Sequence, residues 1–293
     1  MRKASVAGVL AALAVGVALT GCSSGAADDD GLAIVASTNV WGDVARHVAG
    51  DDVAVTSIMD DPSADPHSYE ASPRTELALS RADLVVANGG GYDDFVTTML
   101  DALDDAPPVV VAVDASGHTD DDNEHVWYDV DGVRAVAQAI ADELATLDPA
   151  HADDYAARAE RFERRLDPVT DAIALIAAQH GGAPVATTEP VPAYLIQAAG
   201  LVDVTPPEFT EAIEDETDVP PAALEATLAL FTSGATRALV YNEQTTGPQT
   251  TLVLAAAHEN AVPVVPVTET LPKGEDYVSW MTDNVAALAE ALA

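Results

Sequence analysis

The sequence predicts an α/β protein made of two doubly wound α/β lobes that one long helix joins. Two observations support this prediction. Short apolar runs alternate with amphipathic helical patterns along the chain, and one helical pattern is too long to belong to either half alone. Such alternation is typical of parallel sheets covered by helices on both faces. Because the long pattern divides the alternation in two, we assign one lobe to each half.

The long helix is predicted over residues 148–181. It starts with an Asp-Pro pair, typical of an N-cap followed by proline at the first helical position, and it ends at a Gly-Gly pair. Pro168 removes a backbone donor, but the apolar stripe continues in phase beyond it, which predicts a kink rather than a break. The stripe, with steps of four and three, consists of Tyr155, Ala159, Phe162, Leu166, Val169, Ile173 and Ile176.

Residues 32–147 form the first predicted lobe. Its apolar runs predict strands at 33–37, 53–58, 84–87 and 109–113, and its helical patterns lie at 41–48, 72–82, 92–103 and 131–147. A glycine run follows the third strand, but Asp94 stands where the last glycine of a GxGxxG motif would fall. A dinucleotide site is therefore not predicted. Residues 114–124 are predicted to be an acidic loop.

Residues 182–293 form the second predicted lobe. The predicted strands are 185–187, 239–241 and 263–267, and the predicted helices are 192–199, 220–231, 250–259 and 274–292. The acidic stretch 206–217 is expected to be irregular. Ligands of such sheets collect outside the carboxyl ends of the strands. The polar residues expected near those ends are His67, Glu189, Glu243 and Glu269.

The amino terminus is predicted to be a lipoprotein signal peptide, residues 1–21. A basic pair precedes an apolar run, and the Leu-Thr-Gly-Cys sequence ending at Cys22 resembles a lipobox, whose cysteine becomes lipidated. A plain signal peptide with an incidental cysteine is the alternative. Residues 22–31 are small and acidic, as expected of a flexible tether. We expect a protein anchored by lipid alone to the outer face of the cytoplasmic membrane, because no other apolar run approaches a membrane span.

Composition and motifs exclude several classes of function. A net charge of -37 excludes a general nucleic-acid partner, which requires a basic surface. Hydrophobic residues make up 48% and charged residues 21% of the chain, which excludes a disordered chain. The sequence GCSSG at residues 21–25 matches GxSxG, but it overlaps the predicted lipobox and follows no predicted strand. There is no P-loop and no HExxH, since His258-Glu259 lacks the second histidine. What remains are imidazoles and carboxylates near strand ends, each of which, taken singly, has an ordinary structural explanation.

Two short segments together carry a resemblance to a known family. The sequence DPHSYE, residues 65–70, and the sequence EHVWYD, residues 124–129, resemble two motifs of the metal-specific solute-binding proteins of ABC transporters, the zinc, manganese and iron receptors. Glu189 falls where that family has its third ligand, and Glu269 falls where it has a final acidic ligand, more often aspartate. The resemblance implies two lobes, a rigid long helix and one metal ion held in the cleft by His67, His125, Glu189 and Glu269.

The chemistry of these four residues agrees with the implied site. Two neutral imidazoles and two carboxylates provide four N/O ligands, and the carboxylate charges neutralise a divalent ion. The absence of thiolates disfavours Cu(I), and imidazoles disfavour Ca²⁺ and Mg²⁺. Two oxygen donors favour Mn²⁺ or Fe²⁺ without excluding Zn²⁺. Beside the ligands we expect Glu243 and Trp127, with core packing as the alternative for Trp127. An acidic loop around His118 is expected to be solvated rather than ion-collecting.

The preferred hypothesis is a monomeric, non-enzymatic receptor that captures a divalent transition metal and delivers it to an ABC permease. One alternative is a metal-dependent hydrolase that uses the same histidines and glutamates, with an open coordination position for water and a general base such as Glu243. The other is an adhesin or structural surface lipoprotein that binds no metal.

Overall fold

The structure is a computed structural model, and it describes residues 31–61, 69, 71–119 and 123–293. The apolar runs in these ranges form strands β1 Ala33–Thr38, β2 Ala54–Met59, β3 Leu84–Ala87, β4 Val109–Val111, β5 Pro184–Thr187, β6 Val202–Asp203, β7 Leu239–Asn242 and β8 Val264–Val267. The helices are α1 Asn39–Ala49, α2 Pro73–Leu79, α3 Asp94–Leu100, α4 Ala112–Ser116, α5 Val130–Leu147, α6 Ala152–His180, α7 Ala193–Ala198, α8 Pro207–Glu214, α9 Pro221–Ser233, α10 Pro248–Glu259 and α11 Tyr277–Leu292.

The strands form two sheets with the same winding. The first has the order β2-β1-β3-β4 and the second the order β6-β5-β7-β8, and every neighbouring pair is parallel. In each sheet the chain steps outward from its first strand in one direction and then returns past it in the other. Two doubly wound sheets confirm the predicted fold class. Such winding places ligand sites at the carboxyl ends, next to β1 and β3 and next to β5 and β7.

The long helix is α6, which a 3-10 turn at Pro149–His151 precedes. All seven residues of the predicted apolar stripe are buried, because α6 packs between α5, α1 and α11. The helix continues through Pro168 without interruption. Residues 31–293 form one compact unit that contains both sheets, so the lobe limits at residues 147 and 182 stay predictions.

A single apolar core runs through both halves of the chain. Trp41 and Trp127 from the first half are fully buried in the same cluster as Tyr277 and Trp280 from the last helix. A second cluster covers the outer part of the second sheet and includes Phe209. Trp127 is therefore packed in the core. The shared core joins the two sheets through packed side chains as well as through α6.

Two local predictions were wrong, and one strand was missed. The stretch 206–217, expected to be irregular, contains α8, and the loop predicted at 114–124 begins inside α4. No strand was predicted where β6 lies. In α8 the apolar residues Phe209, Ala212 and Ile213 follow helical spacing and are buried, but only one short stripe is present between prolines and acids. So brief a pattern is weak evidence for a helix in sequence alone.

Several predictions fall on residues outside the described ranges. These are the leader 1–21, Cys22, nearly all of the tether 22–31, and His67. Among the helices that the structure describes, none is both long enough and apolar enough to cross a membrane.

Candidate metal centre

His125 lies between α4 and α5, directly before a 3-10 turn at Val126–Tyr128, and its side chain is fully buried. The side-chain oxygen of Asn123 lies 3.0 Å from the backbone nitrogen of His125 and 2.8 Å from its Nδ1. Because this Asn123 atom accepts a hydrogen bond from the backbone N–H of His125, it is the amide oxygen and not the amide nitrogen. An oxygen without a hydrogen can only accept, so Nδ1 of His125 must carry the proton in the second bond. In the neutral ring the lone pair is then on Nε2, a tautomer in which Nε2 can bind a metal ion.

Asn123 is itself held by the second half of the chain. Its amide nitrogen donates to the carbonyl oxygen of Pro190 at 3.1 Å, and the hydroxyl of Tyr194 donates to its backbone carbonyl at 2.7 Å. Pro190 directly follows Glu189, one of the predicted ligands. The orientation of the His125 ring is therefore fixed by contacts with the segment that carries Glu189.

Glu269 follows β8 and is buried. The hydroxyl of Tyr92 donates to its Oε2 at 3.0 Å, and the amide of Asn242 donates to its Oε1 at 2.9 Å. Burial, together with the adjacent Glu269 charge, raises the pKa of Tyr92 well above its usual value, so the phenol remains a donor. His125 Nε2 lies 3.8 Å from Glu269 Oε2. The predicted ligands His125 and Glu269 are thus brought together from opposite halves of the chain.

The segment 268–271 around Glu269 is bonded to the first half of the chain. The hydroxyl of Tyr128 donates to the Thr268 carbonyl at 2.7 Å. The Asn39 side chain makes two hydrogen bonds with the backbone of Leu271, donating to its carbonyl at 3.1 Å and accepting from its N–H at 2.9 Å. We call segment 268–271 with these contacts the clamped loop.

Glu189 is buried just beyond the end of β5, as the sequence predicted for a residue near a strand end. Its neighbour Thr188 accepts a hydrogen bond from the backbone of Asn242 at 3.0 Å, which ties this strand end to β7. No described cluster of three ligand atoms includes Glu189.

The described ranges contain one group of three residues whose ligand atoms all lie within 4.8 Å of one another: Glu124, His125 and Glu214. Glu214 Oε1 lies 3.5 Å from His125 Nε2. Sequence reasoning missed Glu214 because the stretch that contains it was expected to be irregular. The available signal was the spacing of Phe209, Ala212 and Ile213, which places Glu214 at the end of a short helix.

The separations around His125 suit a shared ion. Two ligand atoms bound to one tetrahedral ion with bonds of about 2.1 Å are about 3.4 Å apart. The distances from His125 Nε2 to Glu214 and to Glu269, 3.5 and 3.8 Å, are close to that value. Since the two carboxylates come from the second half of the chain, an ion at this point would link the two halves.

Of the two residues predicted to lie beside the ligands, Trp127 is close to His125 and Glu243 is turned to solvent. Trp127 is buried with its ring centroid 5.0 Å from that of His125, edge to face. Glu243 is exposed, and the contacts to Glu269 come from the residues on either side of it, Asn242 and Gln244. The backbone N–H of Glu243 bonds the Val267 carbonyl, which continues the β7–β8 pairing and directs alternate side chains outward. Glu243, the general base considered for the hydrolase alternative, is thus exposed rather than buried beside Glu269.

His118 faces the protein. Its Nε2 lies 2.7 Å from a carboxylate oxygen of Asp129, and its ring packs against Tyr194 at 4.3 Å between centroids. Asp120, Asp121 and Asp122 of the same loop lie outside the described residues.

Comparison with known proteins gives a consistent family. The sequence profile of the family described as zinc-uptake complex component A, periplasmic, matches residues 34–291. The chain is 32% identical over 148 residues to the manganese-binding lipoprotein MntA of Halalkalibacterium halodurans, covering 49% of each chain. It is 25% identical over 182 residues to the iron-binding protein YfeA of Yersinia pestis, covering 58% of each. The chain thus spans about half the length of the curated relatives it matches.

Solved structures agree on the fold. The Mn²⁺ complex of the SBP FpvC from Pseudomonas aeruginosa has a TM-score of 0.74 at 20% identity, covering 89% of this chain and 98% of its own. A mutant of the laminin-binding adhesin Lmb from Streptococcus agalactiae has a TM-score of 0.74 at 20% identity, covering 90% and 100%. At these identities the likeness establishes the fold and no further property.

Proposed function

The chain belongs to the zinc-uptake complex component A family, and from that premise we propose that it captures one divalent transition metal ion outside the cytoplasm and delivers it to an ABC permease. Relatives in the comparison are named as substrate-binding lipoproteins of ABC transporters. The ion is cargo, and the protein carries out no chemical step on it. Membership in a substrate-binding family supports a receptor and not an enzyme.

The observation that carries the proposal is the pairing of His125 with Glu269. A fully buried imidazole, whose Nδ1 donates to Asn123, has its Nε2 3.8 Å from a buried carboxylate of the opposite half. Burying two such groups costs free energy unless charge and hydrogen bonds compensate them. A divalent ion between them provides that compensation.

We propose His67, His125, Glu189 and Glu269 as the ligands of the ion. The two carboxylates balance its charge, and the imidazoles provide nitrogen donors that Mn²⁺, Fe²⁺ and Zn²⁺ all accept. His67 enters the set through the DPHSYE segment, since it lies outside the described residues. Mn²⁺ or Zn²⁺ is the proposed cargo, with Fe²⁺ as a further candidate.

Delivery requires that the ligands from the two halves separate when the receptor meets the permease. We propose that the mature protein acts as a monomer, held at the outer face of the cytoplasmic membrane by lipid on Cys22. Replacing Cys22 with serine is expected to move the protein from the membrane fraction to the soluble fraction without changing metal content. Continued sedimentation with membranes would contradict the anchor.

Metal content tests the proposed function directly. Elemental analysis of the purified full chain is expected to give about one ion per chain, and the apo protein should gain thermal stability on addition of Mn²⁺ or Zn²⁺. His67→Ala and His125→Ala should abolish both effects. His258→Ala removes an exposed imidazole and serves as the matched control. A wild-type protein with no retained metal and an unchanged Tm would exclude the receptor function.

A further inference from the structure

Two carboxylates outside the predicted ligand set face His125. Glu124 directly precedes it, and its backbone carbonyl accepts a hydrogen bond from the Asn88 side chain at 2.9 Å, which fixes this part of the segment. Glu214 is the last residue of α8, and its side chain is only 14% exposed. Together with one ring nitrogen of His125, one oxygen from each glutamate forms the cluster within 4.8 Å. One histidine and two glutamates so placed are a ligand set for a divalent cation.

This cluster lies beside a cavity of about 790 Å³. Glu124 and Glu214 line the cavity, and its wall includes the exposed acids Glu211 and Asp215, so it opens to solvent. His125 is fully buried and does not line the cavity. The two glutamates therefore lie between the cavity that opens to solvent and the buried imidazole.

We propose that Glu124 and Glu214 form a second cation site, the outer position, which shares the His125 imidazole with the interior ligands and holds the ion before it reaches Glu189 and Glu269. This inference rests on the proposed function, because it assigns a route to the same cargo. The cargo at the outer position is a hydrated divalent metal ion such as Mn²⁺ or Zn²⁺.

The physical reason for such a position is the cost of dehydrating an ion. A divalent ion that left water for a buried site in one step would lose its hydration before gaining protein ligands. At the outer position two carboxylates neutralise it while the cavity still provides water. His125 Nε2 lies 3.5 Å from Glu214 and 3.8 Å from Glu269, so one imidazole is within reach of both carboxylates. The ion can therefore keep one protein ligand while it exchanges the others.

The rate of metal uptake tests the outer position. In stopped-flow measurements on the full chain, purified in detergent, Glu214→Gln is expected to slow Mn²⁺ association by about tenfold or more while the final stoichiometry stays at one ion per chain. Glu211→Gln is the matched control, because it removes the same charge from the same helix at an exposed position. We expect it to change the rate by less than about twofold, as diffuse steering alone would do.

The outcomes separate this inference from the proposed function. Equal slowing by Glu214→Gln and Glu211→Gln, or an unchanged rate in Glu214→Gln, would overturn the outer position and leave the receptor function standing. A wild-type protein that takes up no ion would overturn both.

A second measurement isolates the outer position. In Glu269→Gln, which lacks an interior ligand, Mn²⁺ electron paramagnetic resonance is expected to detect one weakly held ion per chain. Adding Glu214→Gln should remove that ion, whereas adding Glu211→Gln should not. An ion that persists in the Glu269→Gln, Glu214→Gln double variant would contradict the assignment.

Discussion

The clamped loop and helix α8 each bring one carboxylate to His125, but the surrounding structure holds them differently. The clamped loop is bonded to Asn39 and Tyr128 of the first half, and its Glu269 is held by Tyr92. Helix α8 buries its apolar side in the separate cluster around Phe209, and Glu214 lies at its last residue beside the cavity. A carboxylate fixed by both halves suits retention of an ion, and one at a helix end beside solvent suits exchange.

The two halves of the chain also contribute different groups to the site. Their sheets have the same strand order, yet the first half provides the imidazole and its hydrogen-bond partners while the second provides the buried carboxylates. A site with ligands from both halves is complete only when the halves are together.

Removing the charge of the clamped carboxylate should have the largest effect. Glu269→Gln is expected to weaken Mn²⁺ binding by more than about 100-fold, beyond the range typical of residues that only support a ligand. Isothermal titration calorimetry measures this. Glu243→Gln, an exposed change directly after Asn242 at the end of β7, should alter affinity by less than about twofold. Equal affinities for Glu269→Gln and wild type would mean that Glu269 is no ligand.

Releasing the ring of His125 should have the next largest effect. Asn123→Ala removes the acceptor of Nδ1–H and is expected to weaken metal binding by about 10- to 100-fold, the usual range for a partner of a ligand. Asn260→Ala is the control, because Asn260 is exposed and its side chain donates to the carbonyl of Ala256 on its own helix end. An unchanged affinity in Asn123→Ala would show that other contacts suffice to orient the imidazole.

Breaking the clamp itself should lower stability. Asn39→Ala leaves both the N–H and the carbonyl of Leu271 without this partner, which is expected to cost about 1–3 kcal/mol in the free energy of unfolding. Urea denaturation of the apo protein measures the change. Ser233→Ala, at the exposed end of α9, should change it by about 0.5 kcal/mol or less. A loss as small as the control's would show that the clamp adds nothing to stability.

An ion pair between α6 and α11 gives a pH-dependent test. Burial alone would raise the pKa of Asp276, but hydrogen bonds from Ser279 and the Arg165 guanidinium outweigh it and lower the pKa to about 2. A lowered folded-state pKa stabilises the protein above the unfolded value of 3.8, and this contribution is lost as the pH falls through 2. Asp276→Asn keeps an N-cap for α11. The stability difference between wild type and this variant should be constant near neutral pH and vanish towards pH 2; a difference that persists at pH 2 would contradict the assignment.

Much of the fold and of the site could be predicted from hydrophobic periodicity and from short motifs. The stripe of α6 is a property of neighbouring residues, so its buried face could be named in advance, including Leu166 and Ile173. Helix α8 was missed because one short stripe between prolines and acids does not establish a period. Glu243 was expected beside Glu269, but pairing of β7 with β8 turned it outward and placed its two neighbours there instead.

The sequence by itself determined the fold class, the long helix and the family, because each depends on residue types at fixed separations along the chain. It also indicated His125 and Glu269 as members of one site. Only the tertiary structure decided that Asn123 orients His125, that Asn39 and Tyr128 bind the clamped loop, and that Glu214 faces the same imidazole. Most of these contacts join residues that are far apart in the chain, and a local sequence pattern does not determine which distant residues meet. A shift of one position along a strand also reverses the direction of a side chain, which local patterns do not fix at a strand end.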